Sequence, residues 1–339
     1  MTAIQTATGY RAVPTGRPIR HCIICGSSDH RPVFAYTYQF LVQVRGVSAE
    51  RLAERNWTED TTSTIVRCNS CGCNYVRDPY LVDYLVESLD RKDDADAYVE
   101  AAKKVRAAYD QYANYEHADH KYWIARTLVW LAARRKRGDI AFLDFGSGSG
   151  TTANMVRSLG VAKVVAYDPF YPPTVQTTFD AVNFPGIRCV RHRDDLRALG
   201  PFDAASFQSA VEHVLDPRGE LAAIFELLAP GGLLYVNNPV MDLDREIGAL
   251  QAAKRIKKAD RISYYHPNHL NYMMPRDFER MIRDIGFRVT TWVPHAPPPL
   301  TVATVADAAK GAAKRAVRFA QNALHLPYAR YAYLLRKPG

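Results

Sequence analysis

The chain has 339 residues, of which 47% are hydrophobic, and this is enough for one large domain or two unequal domains with a proper core. No run of eighteen apolar residues occurs and residues 1–20 lack the apolar segment of a signal peptide, so we expect no membrane span, no export and a cytoplasmic protein. The 44 Lys and Arg residues exceed the 35 Asp and Glu residues by nine, a balance that permits an acidic partner such as nucleic acid, a nucleotide-linked substrate or an anionic membrane surface.

Two cysteine knuckles follow a polar, unpatterned first stretch that contains Pro and Gly, which we predict to be a flexible arm over residues 1–20. The pattern C-x-x-C-G occurs twice, and each copy can present two thiolates to one tetrahedral zinc ion. Two disulfides are the alternative, which the absence of an export signal disfavours, and Cys73 is an alternative ligand to Cys71. We predict a zinc-binding module over residues 21–79 with a structural metal. Its four predicted ligands are Cys22, Cys25, Cys68 and Cys71.

Residues 80–138 are rich in Ala, Tyr and charged side chains. This composition favours two or three helices, which we predict to form a cap on the domain that follows. The basic run at the end of this segment is typical of a solvated helix end.

A strand, a glycine-rich loop and a helix are predicted around Phe142 to Gly150. Residues 140–145 are apolar apart from Asp144, as in a strand covered on both faces. The loop glycines let the backbone turn and approach a ligand, and the helix after them closes at Gly160. The loop differs from the dinucleotide fingerprint, whose third glycine comes three residues after the second, whereas here it comes after two.

A second strand over residues 163–167 ends in Asp168, where a carboxylate can accept both hydroxyls of a ribose. Residues 187–190 and 202–207 are predicted to be the third and fourth strands. Because ligands bind at the carboxyl edge of parallel strands, the polar side chains after the fourth strand should face a ligand site. These are Gln208, Ser209, Glu212 and His213.

Small and apolar residues recur at three- and four-residue steps between 302 and 323, with basic residues elsewhere on the turn. We predict an amphipathic helical insertion at about residues 300–326. Packing on its own domain, a homodimer contact and peripheral docking to an anionic membrane all stay open for it. Residues 330–337 are predicted to form a last strand.

These motifs resemble those of class I S-adenosylmethionine-dependent methyltransferases. The resemblance rests on the glycine loop, on the Glu-His-Val segment from Glu212, and on Pro-Gly-Gly at 230–232, which resembles the family's turn before a fifth strand. A histidine at 269 before a helix ending in Gly-Phe extends it. The resemblance implies an α/β fold over residues 139–339, with a doubly wound, seven-stranded, mostly parallel Rossmann-like sheet.

The resemblance also implies S-adenosylmethionine as the cofactor. In the family the loop backbone holds its methionine part, the acid after the second strand holds its ribose, and an acid after the third strand contacts its adenine. The implied cofactor-binding residues are Asp144, Gly146, Ser147, Gly148, Gly150, Asp168, Asp194, Gln208 and Ser209.

Methyl transfer to a hydroxyl or an activated carbon requires removal of a proton, a task that suits a neutral histidine. The candidate bases are His213 and His269. A four-cysteine module before such a domain resembles bacterial methyltransferases that act on sugars, and we predict a sugar, glycan or other small-molecule acceptor. An RNA methyltransferase that holds phosphates with the zinc module and its basic surface is the alternative, and a non-catalytic scaffold is a third.

Overall fold

The computed structural model describes ten stretches of the chain: residues 10–12, 18–43, 48–53, 58–78, 120–135, 139–171, 173–182, 186–238, 269–293 and 331–339. The strands in these stretches are β1 (Tyr10–Ala12), β2 (Pro18–Arg20), β3 (His30–Thr37), β4 (Thr62–Cys68), β5 (Asn74–Val76), β6 (Ala141–Phe145), β7 (Lys163–Tyr167), β8 (Ile187–Val190), β9 (Phe202–Gln208), β10 (Leu228–Asn238), β11 (Asn271–Tyr272), β12 (Arg288–Val293) and β13 (Tyr331–Arg336). The helices are α1 (Tyr38–Gln43), α2 (Ala49–Ala53), α3 (His120–Arg135), α4 (Thr151–Ser158), α5 (Val175–Val182), α6 (Asp195–Leu199), α7 (Pro217–Leu227) and α8 (Pro275–Ile285).

The chain divides into two compact units, each assembled from separate segments. The first unit takes residues 1–84, 212–218 and 239–281. The second unit takes residues 85–211, 219–238 and 282–339. The predicted boundaries of the zinc module, the helical cap and the methyltransferase domain stay predictions.

The first unit contains an antiparallel sheet in the order β11-β5-β4-β3. The inner strand β4 is rich in β-branched residues, which suit a pleated surface, and buries Ile65 and Val66. The edge strand β11 comes from much later in the chain than the other three. Residues far apart in sequence therefore share one sheet.

The second unit is built on a seven-stranded sheet in the order β12-β13-β10-β9-β6-β7-β8. Strands β6 to β10 run parallel, and β13 runs antiparallel to both of its neighbours. All five residues of β6 are buried, as expected of a strand with helices on both faces of its sheet. The predicted α/β fold class is confirmed.

Helix α3 is the described part of the predicted helical cap, since residues 80–119 lie outside the described stretches. Ala125, Leu128 and Ala132 recur at three- and four-residue steps and are buried in the core of the second unit. The helix packs against α4, β9 and β10.

The predicted Pro-Gly-Gly turn before the fifth strand is instead part of β10, whose register with β9 shifts between Leu228 and Leu233. Gly231 has a φ of +76°, and a Cβ on Gly232 would lie 2.8 Å from the carbonyl oxygen of Ala229. The glycines therefore let the chain bulge inside the strand. The predicted last strand is confirmed as β13, whereas the predicted helix at 300–326 lies outside the described residues. Across the ten described stretches, no helix has the length and apolar character needed to cross a bilayer.

Candidate functional site

The loop after β6 contains three glycines in the left-handed region, with φ values of +69° at Gly146, +54° at Gly148 and +78° at Gly150. A Cβ on Gly146 would lie 3.3 Å from the Cβ of Ala210, and one on Gly150 would lie 2.4 Å from the ring of Phe179. A Cβ on Gly148 would meet no described atom within 4 Å. Two of the glycines therefore allow packing inside the protein, while Gly148 borders open space that a ligand can occupy.

Asp144 at the end of β6 anchors this loop. Its Oδ2 accepts hydrogen bonds from Ser147 Oγ at 2.7 Å and from Ala153 N at 3.1 Å. Its Oδ1 accepts a hydrogen bond from Ser206 Oγ at 2.6 Å, and the residue is buried. The carboxylate thus connects the loop, the first turn of α4 and β9, and its predicted contact with a cofactor stays a prediction.

Asp168 follows β7 and is buried beside the same loop. Its Oδ2 accepts a hydrogen bond from Gly148 N at 2.8 Å, and its Oδ1 accepts one from Phe170 N at 3.0 Å. Ser147 N donates to the carbonyl oxygen of Tyr167 at 2.9 Å. The acid predicted to bind ribose therefore lies next to the open face of the glycine loop.

The end of β9 brings a third set of polar groups to this edge of the sheet. Gln208 Nε2 donates to Thr152 Oγ1 at 2.9 Å, whereas Gln208 Oε1 is buried and accepts no hydrogen bond from any residue that the structure describes. Ser209 has a φ of +49° and is the one non-glycine residue with positive φ in the described part of the chain. An orphaned acceptor and a strained backbone are both typical of ligand sites.

Asp194 lies beyond the end of β8 and precedes α6. Its side chain is exposed and makes no capping hydrogen bond with the helix. Its predicted adenine contact stays a prediction.

The four predicted zinc ligands lie together in the first unit. The Sγ atoms of Cys22 and Cys71 are 3.4 Å apart, those of Cys25 and Cys68 are 3.6 Å apart, and all four lie within 4.8 Å of one another. Thiolates around a tetrahedral zinc ion with Zn–S bonds of about 2.3 Å lie roughly 3.8 Å apart. All six cysteines of the chain are free thiols, so the disulfide alternative is not formed in the structure.

The two knuckles have the same backbone geometry. Gly26 N donates to Cys22 O at 2.8 Å, and Gly72 N donates to Cys68 O at 2.9 Å. The two glycines have φ values of +73° and +80°. The repeated C-x-x-C-G pattern therefore produces two matching turns, each of which directs two sulfur atoms to one point.

Cys73 is not a member of the four-sulfur cluster and is fully buried. A hydrogen bond from its thiol is the main cause that lowers the pKa of the Cys22 thiol below its usual value. Cys73 thus lies beside the predicted ligand Cys22, and its own role as an alternative ligand stays a prediction.

The two predicted bases lie together in the first unit. The rings of His213 and His269 have their centroids 4.8 Å apart at an interplanar angle of 64°. His213 Nε2 lies 3.9 Å from Oε1 of the buried Glu212. Leu270 N donates to the carbonyl oxygen of Glu212 at 2.7 Å, so a backbone hydrogen bond connects the segment of His213 to the segment of His269.

Sequence reasoning missed Arg20, which it assigned to the unpatterned arm. The side chain is 1% exposed, and its guanidinium donates to the carbonyl oxygens of Val76, Leu215 and Leu270 and to Asn271 Oδ1. A single arginine in a polar stretch carries no periodic signal. Only the three-dimensional structure shows that three segments of the first unit meet around it.

A family profile described as a methyltransferase domain matches residues 109–291, which is more than half of the chain. The chain belongs to this methyltransferase family. It is a class I S-adenosylmethionine-dependent methyltransferase, as the motifs predicted.

Curated relatives of this methyltransferase cover parts of its length. The ubiquinone biosynthesis O-methyltransferase of Xanthomonas axonopodis pv. citri is 26% identical over 171 residues, which is 48% of this chain and 68% of the relative. The ribosomal protein L11 methyltransferase of Bordetella parapertussis is 33% identical over 129 residues, which is 37% of this chain and 39% of the relative. The chain therefore spans well under half the length of the ribosomal-protein enzyme.

Among solved structures, the methyltransferase is similar to the 1,6-didemethyltoxoflavin-N1-methyltransferase of Burkholderia thailandensis. The match has a TM-score of 0.44 at 15% identity and covers 83% of this chain and 98% of the other.

The residues of the methyltransferase fit the cofactor of the family. Open space at Gly148 leaves room for a ligand against the loop backbone, Asp168 offers carboxylate oxygens beside it, and Gln208 Oε1 is a buried acceptor in need of a donor. S-adenosylmethionine carries an ammonium group and two ribose hydroxyls, so it supplies donors of the kind these oxygens accept.

Proposed function

We propose that this methyltransferase acts on a hydroxyl group, or an activated carbon, of a sugar, glycan or other small molecule. The observation that carries the methyl-transfer part of the proposal is the site at the glycine loop, where the open face of Gly148 adjoins Asp168. The ubiquinone relative, whose name specifies an O-methyltransferase, supports oxygen as the methylated atom.

Within this proposal the loop backbone from Gly146 to Gly150 holds the methionine part of the cofactor and Asp168 accepts the ribose hydroxyls. Gln208 and Ser209 at the end of β9 complete the methionine side, and Asp194 after β8 reaches the adenine. Asp144 acts by holding the loop in shape, because its oxygens accept hydrogen bonds from Ser147, Ala153 and Ser206.

When bound, S-adenosylmethionine supplies an electrophilic methyl group on a sulfonium. The chain's own part in the proposed reaction is to orient the acceptor and to remove the proton of its hydroxyl. His213 and His269 are the proposed bases, and a neutral imidazole takes that proton on a ring nitrogen. The Glu212 carboxylate, 3.9 Å from His213 Nε2, then stabilises the imidazolium that forms.

The acceptor class is tested with the purified full chain. S-adenosylhomocysteine is titrated into the protein by calorimetry, and turnover is then followed by mass spectrometry with nucleotide-sugar, phenol and RNA mixtures. We expect micromolar binding and turnover with a small-molecule mixture that changes little between low and high salt. Turnover with RNA alone, falling steeply with salt, would contradict the small-molecule proposal, and a folded protein that does not bind the product would contradict the cofactor site.

The histidine mechanism is tested with His213→Ala and His269→Ala. General base catalysis contributes about 10²- to 10⁴-fold, so at least one variant should lose turnover on this scale while its affinity for S-adenosylhomocysteine stays unchanged. Added imidazole should restore part of the lost turnover because it replaces the missing base. Full turnover in both variants would exclude histidine-assisted deprotonation.

We also propose that Cys22, Cys25, Cys68 and Cys71 hold one structural zinc ion. Elemental analysis of the purified protein should find one tightly bound zinc per chain, and Cys71→Ser should lose it. Two matched controls exist: Cys73→Ser removes the buried thiol next to the cluster, and Cys189→Ser removes one in the second unit. Both should keep zinc, and loss of zinc in Cys73→Ser but not in Cys71→Ser would show that the ligand set is wrong.

A further inference from the structure

A second group of metal-binding side chains lies in the first unit, separate from the cysteines. It consists of one carboxylate and two imidazoles, from Glu212, His213 and His269. We propose that these three residues form a binding site for a divalent transition metal ion.

The distances suit such an ion. His213 Nε2 and Glu212 Oε1 are 3.9 Å apart, and one ligand atom from each of the three residues lies within 4.8 Å of the others. Ligands at about 2.1 Å from a metal ion lie roughly 3 to 4 Å apart. The pair His213 and Glu212 already has this separation, and the 4.8 Å limit keeps the His269 ligand atom within about 1 Å of it.

The chemistry of the donors also suits a transition metal. Two borderline imidazole nitrogens and one carboxylate oxygen form a ligand set that Zn²⁺, Co²⁺ and Fe²⁺ accept, and three protein ligands leave coordination positions open. The Glu212 side chain is 6% exposed and that of His213 is 17% exposed. In such a poorly solvated place a cation beside a carboxylate is stabilised far more than at the surface.

The backbone that carries the ligands is held in place. Leu270 N and Asn271 N both donate to Glu212 O, at 2.7 and 3.2 Å, and Asn271 Nδ2 donates to Val214 O at 2.8 Å. The segment of His213 is thereby fixed, on both sides of His213, to the residues that follow His269. Ligands on a fixed frame lose little conformational entropy when a metal binds.

Arg20 also connects the segment of His213 to the segment of His269 by hydrogen bonds. Its guanidinium donates to Leu215 O at 3.0 Å, two residues after His213, and to Leu270 O at 2.9 Å, one residue after His269. The frame is thus made of hydrogen bonds outside the ligand set, as is typical of metal sites whose supporting groups orient the ligands.

A metal ion and the proposed base role compete for the same atoms. A ring nitrogen has one lone pair for either a proton or a metal, so an imidazole nitrogen that binds the ion cannot take a proton from an acceptor. The metal site itself does not depend on the proposed acceptor or on turnover, and its test reads metal binding alone.

The test uses the full chain and Co²⁺ as the probe, because cobalt bound to thiolates has an intense charge-transfer absorption that cobalt bound to imidazole and carboxylate lacks. Metal-free protein should bind two equivalents of Co²⁺, one with the thiolate band and one with weak d–d bands only. Protein that already holds one zinc should bind a single equivalent without the thiolate band.

The variants assign the second equivalent. We expect His269→Ala and Glu212→Gln each to weaken it by about tenfold or more while the thiolate band stays, which also shows that the first unit is folded. Cys71→Ser should lose the thiolate band and keep the second equivalent of Co²⁺. His192→Ala, at an exposed histidine after β8, is the matched control and should change neither signal. A wild-type protein with the thiolate-bound equivalent alone, or an unchanged second equivalent in both ligand variants, would overturn the proposal.

Discussion

At the scale of single residues, the glycine loop shows that one residue type serves two purposes in one motif. Gly150 is needed because Phe179 fills the space where its Cβ would be, whereas Gly148 borders space that no described atom fills. Both glycines adopt a positive φ, which other residues rarely adopt, so the two positions share this backbone requirement. Substituting each glycine separately distinguishes the packing role of Gly150 from the proposed ligand-binding role of Gly148.

Gly148→Ala should therefore weaken cofactor binding with a small loss of stability. A left-handed alanine costs about 1 kcal/mol, and the new methyl group projects into the proposed cofactor space, so the Kd for S-adenosylhomocysteine should rise by about tenfold or more. Calorimetry measures the Kd and urea denaturation measures the free energy of unfolding.

Gly160→Ala is the matched control for this change. Gly160 ends α4 with a φ of +89°, and its Cβ would also meet no described atom within 4 Å. It should lose a similar amount of stability and keep its affinity. An equal loss of affinity in both variants would mean that backbone strain, and not the cofactor space, explains the effect.

Asp144→Asn should lower the free energy of unfolding more than it lowers the affinity for the cofactor. An amide cannot accept from Ser147, Ala153 and Ser206 together, because its NH₂ group would stand where one of the serine hydroxyls now finds its acceptor. Leaving buried donors unsatisfied costs about 1–3 kcal/mol, so the urea midpoint should fall. Asp180→Asn on the exposed side of α5 serves as the control and should not change it. A normal midpoint with lost affinity would instead favour the direct cofactor contact that the sequence predicted.

At the scale of secondary structure elements, α4 and α5 depend on each other through one glycine and one ring. Phe179 on α5 is fully buried, and its ring would lie 2.4 Å from a Cβ at Gly150, which precedes α4. The side chain of Asn154 continues this contact, because its Nδ2 donates to Gly150 O at 2.9 Å. The start of α4 is thus shaped by its neighbour as well as by its own sequence.

Gly150→Ala should destabilise the second unit by about 2–4 kcal/mol, from overpacking together with left-handed strain. In the double variant Gly150→Ala/Phe179→Ala the clash is absent, so its loss of stability should be clearly smaller than the sum of the two single losses. Urea denaturation of the four proteins measures this coupling. Additive losses would show that the ring is not the obstacle.

Elements with a strong local pattern could be predicted from the sequence. Strand β6 is apolar apart from Asp144 and α4 begins after three glycines, so both were predicted close to their observed bounds. The bulge in β10 could not be predicted, because Pro-Gly-Gly favours a turn. Only the register with β9 makes these three residues part of a strand. The clustering of the four cysteines could be predicted because a repeated spacing is a local signal, and their role as zinc ligands stays a prediction.

At the scale of the whole molecule, long-range contacts were the features that the sequence could not reveal. The first unit combines residues 1–84 with 212–218 and 239–281, and strand β11 completes a sheet whose other strands lie before residue 77. No pattern in any of these segments shows its partner. Arg20 joins them through backbone carbonyls, which every residue has and which leave no mark in a sequence.

Arg20→Met should therefore loosen the first unit at a distance from position 20. It leaves the carbonyl oxygens of Val76, Leu215 and Leu270 without this donor, and a loss of about 3 kcal/mol or more is expected. Hydrogen exchange measured by mass spectrometry should rise in peptides that cover 212–218 and 269–272.

Arg188→Met, at an exposed position of β8 in the second unit, is the control and should leave this exchange unchanged. If exchange rises only near residue 20 in the Arg20 variant, the long-range role of the guanidinium is excluded.

The position of β13 has a consequence for the order in which the sheet forms. This strand lies between β10 and β12, and it is the sheet neighbour that the described residues provide for β12. Residues 288–293 leave the ribosome well before residues 331–336 do. The growing chain therefore carries the β12 segment without its β13 partner until β13 emerges, and in that interval the backbone groups that later bind β13 can meet chaperones and other nascent chains.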